Sequence, residues 1–314
     1  MWTKKPLTSP PMSITNRPFD PASPDFEQMC QFIVSQHAQN QHFYSWHLGR
    51  LMDWRYNQHN QTKQNADNFV RLTHLWQMAN ELAGFALSED FDDHFYLFAS
   101  NQHQDLYPQM LNWVQSSWDK VYPTLTTWTV ENELSLKQAL TDAGFEPNNQ
   151  IEKTRVFETI NYLNYQMPDL DLTLQSLAQN RDYAEQAKLR SDAWPHQRPR
   201  KTDLLIRAQT RLAPIYRADF DFVLVDANGR QISGAEAFID WTNQTAEIER
   251  VCTLREYQNQ GYAKIVILSC LKKLAQAGIP TAYITGGREQ TIYLYGNLGH
   301  SQEVNRQEWE KTRD

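Results

Sequence analysis

The sequence has little of what would anchor, staple or strongly charge a chain. No run of about 18 apolar residues occurs, so no segment reads as a membrane-spanning helix. The opening stretch, MWTKKPLTSPPMS, lacks the apolar core of a secretory signal. Cysteine is scarce: Cys30, Cys252 and Cys270 stand at no repeated spacing. Such a set argues against a disulfide framework and fits a reducing compartment. Positive charge is not in excess either. The formal net charge is -7, whereas nucleic-acid binding depends on clustered positive charge. The one short basic cluster, Arg198-Pro199-Arg200-Lys201, reads as a solvated loop. These absences lead us to expect a cytoplasmic protein with no membrane or nucleic-acid partner. Oligomeric state leaves no mark in the sequence.

What is present is apolar and aromatic material. Hydrophobic residues make up 40% of 314, with ten Trp, fourteen Tyr and fourteen Phe, enough for two packed cores. Pro6, Pro10, Pro11, Pro18, Pro21 and Pro24 crowd the start, and residues 1–24 are expected to be an extended lead-in without regular structure. Periodicity then predicts helices over 25–39 and 43–56, strands over 70–78, 82–88 and 94–99, and a helix over 106–118. A buried strand over 125–130, a short helix over 134–143 and a closing strand over 153–159 complete the first half. Residues 162–171, with Pro168, read as the crossing. The order then restarts. Helices are expected over 174–194 and 204–213. Strands follow over 220–225 and 232–240, joined by a turn ending in Asn228-Gly229. A strand over 246–253, a helix over 262–277, a strand over 281–285 and a short helix over 290–297 end the series.

The same order thus appears twice. Leu82 to Ala86 resembles Ile232 to Glu236, and Leu136 to Phe145 resembles Thr291 to His300. The paired glycines, Gly84 with Gly234 and Gly144 with Gly299, stand 150 and 155 residues apart, as duplication with small insertions would give. We expect an α+β protein of two similar domains, 25–161 and 172–314, joined by 162–171.

Chemistry concentrates between Ala246 and His300. A strand leads to the polar loop Gln258-Asn259-Gln260-Gly261-Tyr262-Ala263, which opens directly into an amphipathic helix. A helix start exposes unpaired N–H groups and the positive end of the helix dipole. Gly261 lets a phosphate approach the backbone, and Ala263 keeps the first turn open. The product is a pyrophosphate seat made mainly of main chain.

This loop resembles the Gln/Arg-x-x-Gly-x-Gly/Ala motif of the GNAT acyltransferases, with Gln258, Gly261 and Ala263 in the defining places. Leu294-Tyr295-Gly296-Asn297-Leu298-Gly299-His300 resembles the family's Leu-Tyr-x-x-Leu-Gly-Phe ending. The resemblance covers about 171–314 well and the first half in outline. It implies two GNAT-like domains, each a mixed, mostly antiparallel twisted sheet flanked by helices. It implies acetyl-CoA as co-substrate, no metal, and transfer of acetyl to a primary amine on a small molecule or peptide by direct attack. Val251, Cys252 and Thr253 would hold the pantetheine by main chain. Gln258, Asn259, Gln260, Gly261, Tyr262 and Ala263 would hold the pyrophosphate. Tyr295 stands where the family has the acid that protonates the departing thiolate. Glu247 and Glu249, on one strand face, both qualify as base. Other occupants of the same fold are an acyl-CoA sensor without catalysis and a tandem transferase with a different acyl donor.

Each residue also has a plainer account. The two glutamates could be the wet face of a half-buried strand, and Tyr295 a core aromatic. Cys252 fits a small strand residue better than a nucleophile. His37, His42 and His47 match no zinc spacing and read as surface or packing residues. Arg288 stands where family members often have Asn, and His300 where they have Phe. In the first half the matching loop, 101–108, has no glycine and contains Pro108, while Leu140 stands in the place of Tyr295. We expect that half to be catalytically silent.

Overall fold

The computed structural model describes residues 14–40, 45–56, 67–68, 70–89, 91–118, 122–194 and 200–312. His42, the first thirteen residues of the lead-in and the Arg198-Pro199 part of the basic cluster lie outside these. Among the described residues, no helix is long and apolar enough to cross a membrane.

The first half runs β1 (Ile14–Pro18), α1 (Asp25–Asn40), α2 (Leu48–Tyr56), β2 (Thr73–Met78), β3 (Glu81–Leu87), β4 (Tyr96–Ala99), α3 (Tyr107–Ser117), β5 (Thr124–Val130), α4 (Leu134–Asp142) and β6 (Glu146–Glu158). The second half repeats the order: β7 (Thr173–Ser176), α5 (Tyr183–Ala193), α6 (Arg200–Arg207), β8 (Asp221–Val225), β9 (Gln231–Asp240), β10 (Thr245–Thr253), α7 (Tyr262–Gln276), β11 (Thr281–Gly286), α8 (Glu289–Gly296) and β12 (Gln302–Thr312). Duplication read from two short matches is therefore visible in every element. Gly84 and Gly234 fall on the corresponding strands β3 and β9.

Strands β1-β2-β3-β4 form one sheet. The other eight form a second, in the order β5-β12-β6-β11-β10-β9-β8-β7. The halves exchange their last strands. β6, from the first half, pairs antiparallel with β11 from Thr281↔Glu158 to Gly286↔Lys153. β12, from the second half, inserts between β5 and β6. The cores follow the exchange. Phe157 of β6 belongs to the apolar cluster of the second half, and Trp309 of β12 to that of the first. Trp309 Nε1 donates to Thr129 Oγ1 at 3.1 Å.

Several expectations need correction. The Pro-rich lead-in contains a strand, β1, paired with β2 from Ile14↔Met78 to Pro18↔His74. Proline is tolerated there because β1 is an edge strand ending at Pro18. The stretch 174–194 is not one helix. Leu174 and Ser176 pair with β8, and α5 begins only where the Asp182 side chain caps it by accepting from Glu185 N at 2.9 Å. Helix α6 starts at Arg200, earlier than periodicity suggested, and gives way to a 3₁₀ turn over Ala208–Leu212. The strands β6 and β12 are longer than read, or were not read at all, because their partners lie in the opposite half.

Since Trp309 fills the first half's core from the second half's final strand, the two halves should unfold together. Trp309→Ala should lower the unfolding free energy by about 3 kcal/mol, and calorimetry should still record one transition. Two separated transitions, with only one displaced, would contradict a core shared by exchange.

Candidate active site

Strands β10 and β11 run parallel and pair only over Thr245↔Thr281, Ala246↔Ala282 and Glu247↔Tyr283. β10 then continues to Thr253 and β11 to Gly286 without further pairing between them. From Ile248 onward the edge of β10 that faces β11 has no strand partner, so its main-chain groups are available to a ligand. Its other edge stays paired with β9, with a shift in register between Glu249 and Cys252. At that bulge Arg250 takes a positive φ of 53°. A non-glycine residue in this conformation is strained by about 1–3 kcal/mol. The Arg250 side chain is buried and ion-paired with Glu236 of β9 and Asp53 of α2. Glu236 also accepts from Arg190 of α5 at 3.0 Å. This buried chain of charges holds the bulge, and the bulge turns the end of β10 away from β11.

Beyond the strand, Gly261 caps α7 with φ of 82°. A Cβ built there would meet nothing within 4 Å. Gln258, Asn259, Gln260 and Gly261 are exposed, and Tyr262 and Ala263 half-buried. Gln258 Nε2 donates to Thr253 O at 3.2 Å, tying the loop back to the strand end. The six loop residues therefore surround an open helix N-terminus at the mouth of the fork. Val251, Cys252 and Thr253 lie on the part of β10 that β11 no longer covers, with Cys252 O taken by Ser233 Oγ at 3.0 Å. Cys252 is 4% exposed and burial pushes its thiol up to about 12, so it is a packing residue and not a nucleophile.

The plainer account of Glu247 does not hold, because it is 1% exposed and not on a wet face. Its Oε2 accepts from Arg50 N at 3.1 Å. Burial, opposed by Arg50, raises its carboxyl to about 7. Glu249 is only half-buried. Burial first, and then the neighbouring charge of Glu247, lift its carboxyl well above the usual range. Tyr295, on α8, is 6% exposed and packs in the core of the second half. Burial first, and then Glu249 and Cys252, raise its phenol. The core account and the acid account thus describe the same ring, which keeps its proton beside Glu249. Arg288 lies exposed at the start of α8, and the His300 ring stands edge-on to Phe157.

What sequence reasoning missed is the opposite wall. Helix α2 of the first half packs against β9 and β10 of the second. His37 and His47, read as surface or packing residues, are both buried here. His47 Nδ1 accepts from Gly49 N at 3.2 Å, so Nε2 carries the proton and donates to Thr245 Oγ1 at 3.1 Å. Burial and the neighbouring His37 hold this imidazole down to about 3, so it stays neutral beside Glu247. Arg50 Nε and Nη2 grip both oxygens of Glu89 at 2.8 and 2.6 Å, and Nη2 also donates to Tyr96 Oη at 2.9 Å. Gly49 permits the approach: a Cβ there would come within 2.8 Å of Phe238 Cβ and 3.1 Å of Glu247 Oε2. The signal available in the sequence was weak, a lone glycine inside a helical pattern.

The loop of the first half that corresponds to 258–263 is built differently. The N–H of Asn101 is taken by Gln36 Oε1 at 3.1 Å, and Pro108 sits in the first turn of α3. Leu140 is fully buried.

Residues 183–300 match the model of the acetyltransferase (GNAT) family. No curated protein matches the chain in sequence. Among solved structures, the chain is similar to a tandem GNAT protein from the clavulanic acid biosynthesis pathway, at 10% identity and TM-score 0.64, over 96% of this chain and 98% of that one. It is also similar to a GCN5-related N-acetyltransferase from Sphaerobacter thermophilus, at 12% identity and TM-score 0.60, over 95% of each chain. An acetyltransferase of the GNAT family from Colwellia psychrerythraea aligns at 12% identity and TM-score 0.53, over 95% of this chain and 100% of that one. Residues 183–300 thus carry a GNAT-type domain, and the chain as a whole shares its fold with these solved structures.

The contact at Gly49 can be tested by stability. Gly49→Ala should push α2 off the β9–β10 face and cost about 1–3 kcal/mol by overpacking. Gly229→Ala, at a hairpin turn where an added Cβ meets nothing, should cost only what its φ of 81° imposes on a side chain, about 1–2 kcal/mol. No loss of stability in Gly49→Ala would mean that α2 does not bear on β10 as described.

Proposed function

We propose that the protein transfers an acetyl group from acetyl-CoA to a primary amine. In this proposal residues 172–314 are the catalytic unit, 25–161 a catalytically silent unit, and 162–171 their linker. The observation that carries the reading is the fork between β10 and β11, which ends at an open, glycine-started helix. The residues present fit the thioester ligand: an unpaired strand edge suits an amide-bearing arm, and unhindered amides at a helix N-terminus suit a diphosphate. When bound, acetyl-CoA would supply the activated acyl group. Val251, Cys252 and Thr253 would hold its arm by main chain, and Gln258, Asn259, Gln260, Gly261, Tyr262 and Ala263 its diphosphate.

The two glutamates take different parts. Glu249, half open and beside Tyr295, takes the proton released as the amine nitrogen bonds to the acyl carbon. Tyr295, neutral at working pH because its phenol is raised, returns a proton to the sulfur as the C–S bond breaks. Glu247, sealed beneath α2, acts on Glu249 through its charge. A carboxyl with a raised pKa is a base only above that pKa, so the acceptor-dependent kcat/KM should climb as pH rises through the elevated pKa of Glu249. Glu247→Gln removes the like charge and should move that limb to lower pH. A limb that stays put or moves up would assign the base elsewhere.

Tyr295→Phe should lower kcat by about 10²-fold while leaving CoA affinity intact. Gly261→Val should weaken CoA binding by about tenfold or more, equivalent to about 1.4 kcal/mol. These are read by free-thiol release over a panel of amines and by calorimetric titration with CoA. Undiminished CoA affinity in Gly261→Val would sink the assignment. CoA binding with no turnover of any amine by the native protein would make it a sensor instead.

A further inference from the structure

One fully buried cation on the acceptor side has work left undone. Arg306 of β12 is 0% exposed. Its Nη1 donates to Glu152 Oε2 at 2.7 Å. Its Nε and Nη2 have no hydrogen-bond partner among the described residues. Leaving such donors unmade inside a protein costs about 1–3 kcal/mol each, more for a charged group, so a retained case calls for a partner.

Register places this guanidinium on the same sheet face as the two glutamates. Cross-strand partners and alternate residues along a strand share a face. Glu247 pairs with Tyr283, and Thr285, two residues on, pairs with Thr154. Their hydroxyls meet at 2.8 Å, which confirms the shared face. Two residues before Thr154 is Glu152, which pairs with Arg306. The level of Glu152 and Arg306 lies beyond the point where β10 and β11 part. Arg306 stands between the rings of Tyr96 and Trp128, at 5.9 and 5.8 Å. Its charge reaches the carboxyls of Glu247 and Glu89.

The unfilled edge has a specific shape. Nε and Nη2 are the two donors with which Arg50, across the same Tyr96 ring, grips both oxygens of Glu89. That parallel pair of N–H bonds matches a carboxylate in geometry and charge. We propose that Nε and Nη2 of Arg306 seat a carboxylate of the acyl acceptor, so that the substrate is an amine that also carries a carboxylate. The proposal rests on the acyltransferase reading of the same cleft. The amine end lies towards Glu249 and the carboxylate end towards β12. Arg306 is fully buried, so seating the carboxylate requires the side chains around its fork to move aside. Both ends of the site then come from the second half of the chain, the carboxylate end on its exchanged strand β12.

The test compares amino acids with the amines left when the carboxylate is removed: lysine with cadaverine, ornithine with putrescine, alanine with ethylamine. Binding to the CoA-loaded protein is measured by calorimetry, and KM and kcat by thiol release. Within each pair the carboxylate should lower Kd and KM by about tenfold or more. Arg306→Lys keeps the charge beside Glu152 but lacks the fork. It should abolish the preference by raising KM, with kcat little changed. Glu152→Gln breaks the ion pair yet leaves the fork and should keep the preference, which separates a seat from a merely structural arginine. Amines without a carboxylate binding as well as their partners, or a preference that survives Arg306→Lys in a folded protein, overturns the proposal. Those results leave acyl transfer standing if thiol release persists. Failure to bind CoA, with carboxylate binding retained, removes the transferase reading and keeps the seat.

Discussion

Main-chain pairing between β6 and β11 is the contact on which the rest of the molecule depends. It ties a strand of the first half to the central strand of the second over six residue pairs, from Thr281↔Glu158 to Gly286↔Lys153. β11 is thereby held along its full length on one edge, while on the other it meets β10 for only three residues. A strand fixed on one side cannot follow a neighbour that turns away, so the bulge at Arg250 opens a fork instead of bending the whole sheet. The same exchange lets β12 carry Arg306 into the acceptor side and Trp309 into the opposite core. Separating the halves would leave β11 with a bare edge and each core short of an aromatic ring.

Buried charge is distributed in two ways on this face. Around the bulge, Arg190, Glu236, Arg250 and Asp53 alternate in sign. Burying each ion is expensive, and only close pairing offsets the loss of water. Such a chain adds little net stability, but it fixes one geometry, because breaking any link leaves an uncompensated charge. Three steps along the strand the logic reverses. Glu247 and Glu249 stand as like charges in a low-dielectric site, and both carboxyls are raised. Two nearby buried carboxyls resist ionising together, so burial and their mutual repulsion push both pKa values up.

The sequence was most legible where signals are local. The Asn228-Gly229 turn, the glycine-started helix α7 and the repeated order of elements depend on residues within a few positions of one another. Strands β1, β7 and β12 were hidden for different reasons. β1 and β7 are short edges in polar or proline-bearing surroundings. β12 has no apolar alternation of its own because its partners, β5 and β6, belong to the other half. The site divided along the same line. The loop 258–263, Glu247, Glu249 and Tyr295 were singled out by a family resemblance carried by residues within one half. Gly49, Arg50, Arg250 and Arg306 each contact a residue of the opposite half, and nothing in their immediate neighbours marks them.

The retained first half becomes intelligible from the face it presents to β10. His47, Arg50 and Asp53 meet Thr245, Glu247 and Arg250 in that order along the strand. His47 and Asp53 use their side chains, and Arg50 its main-chain N–H. Each contact is polar. By contrast, the first half's own loop has given its amide to Gln36 and its start to Pro108, and a leucine fills the place of the tyrosine. On the proposed reading, the first half offers no phosphate seat of its own and instead lays a polar helix along β10, as a wall of the second half's site. The cost of every substitution in α2 should therefore appear at β10, in the other half of the chain, before it appears in the core that α2 was built to cover.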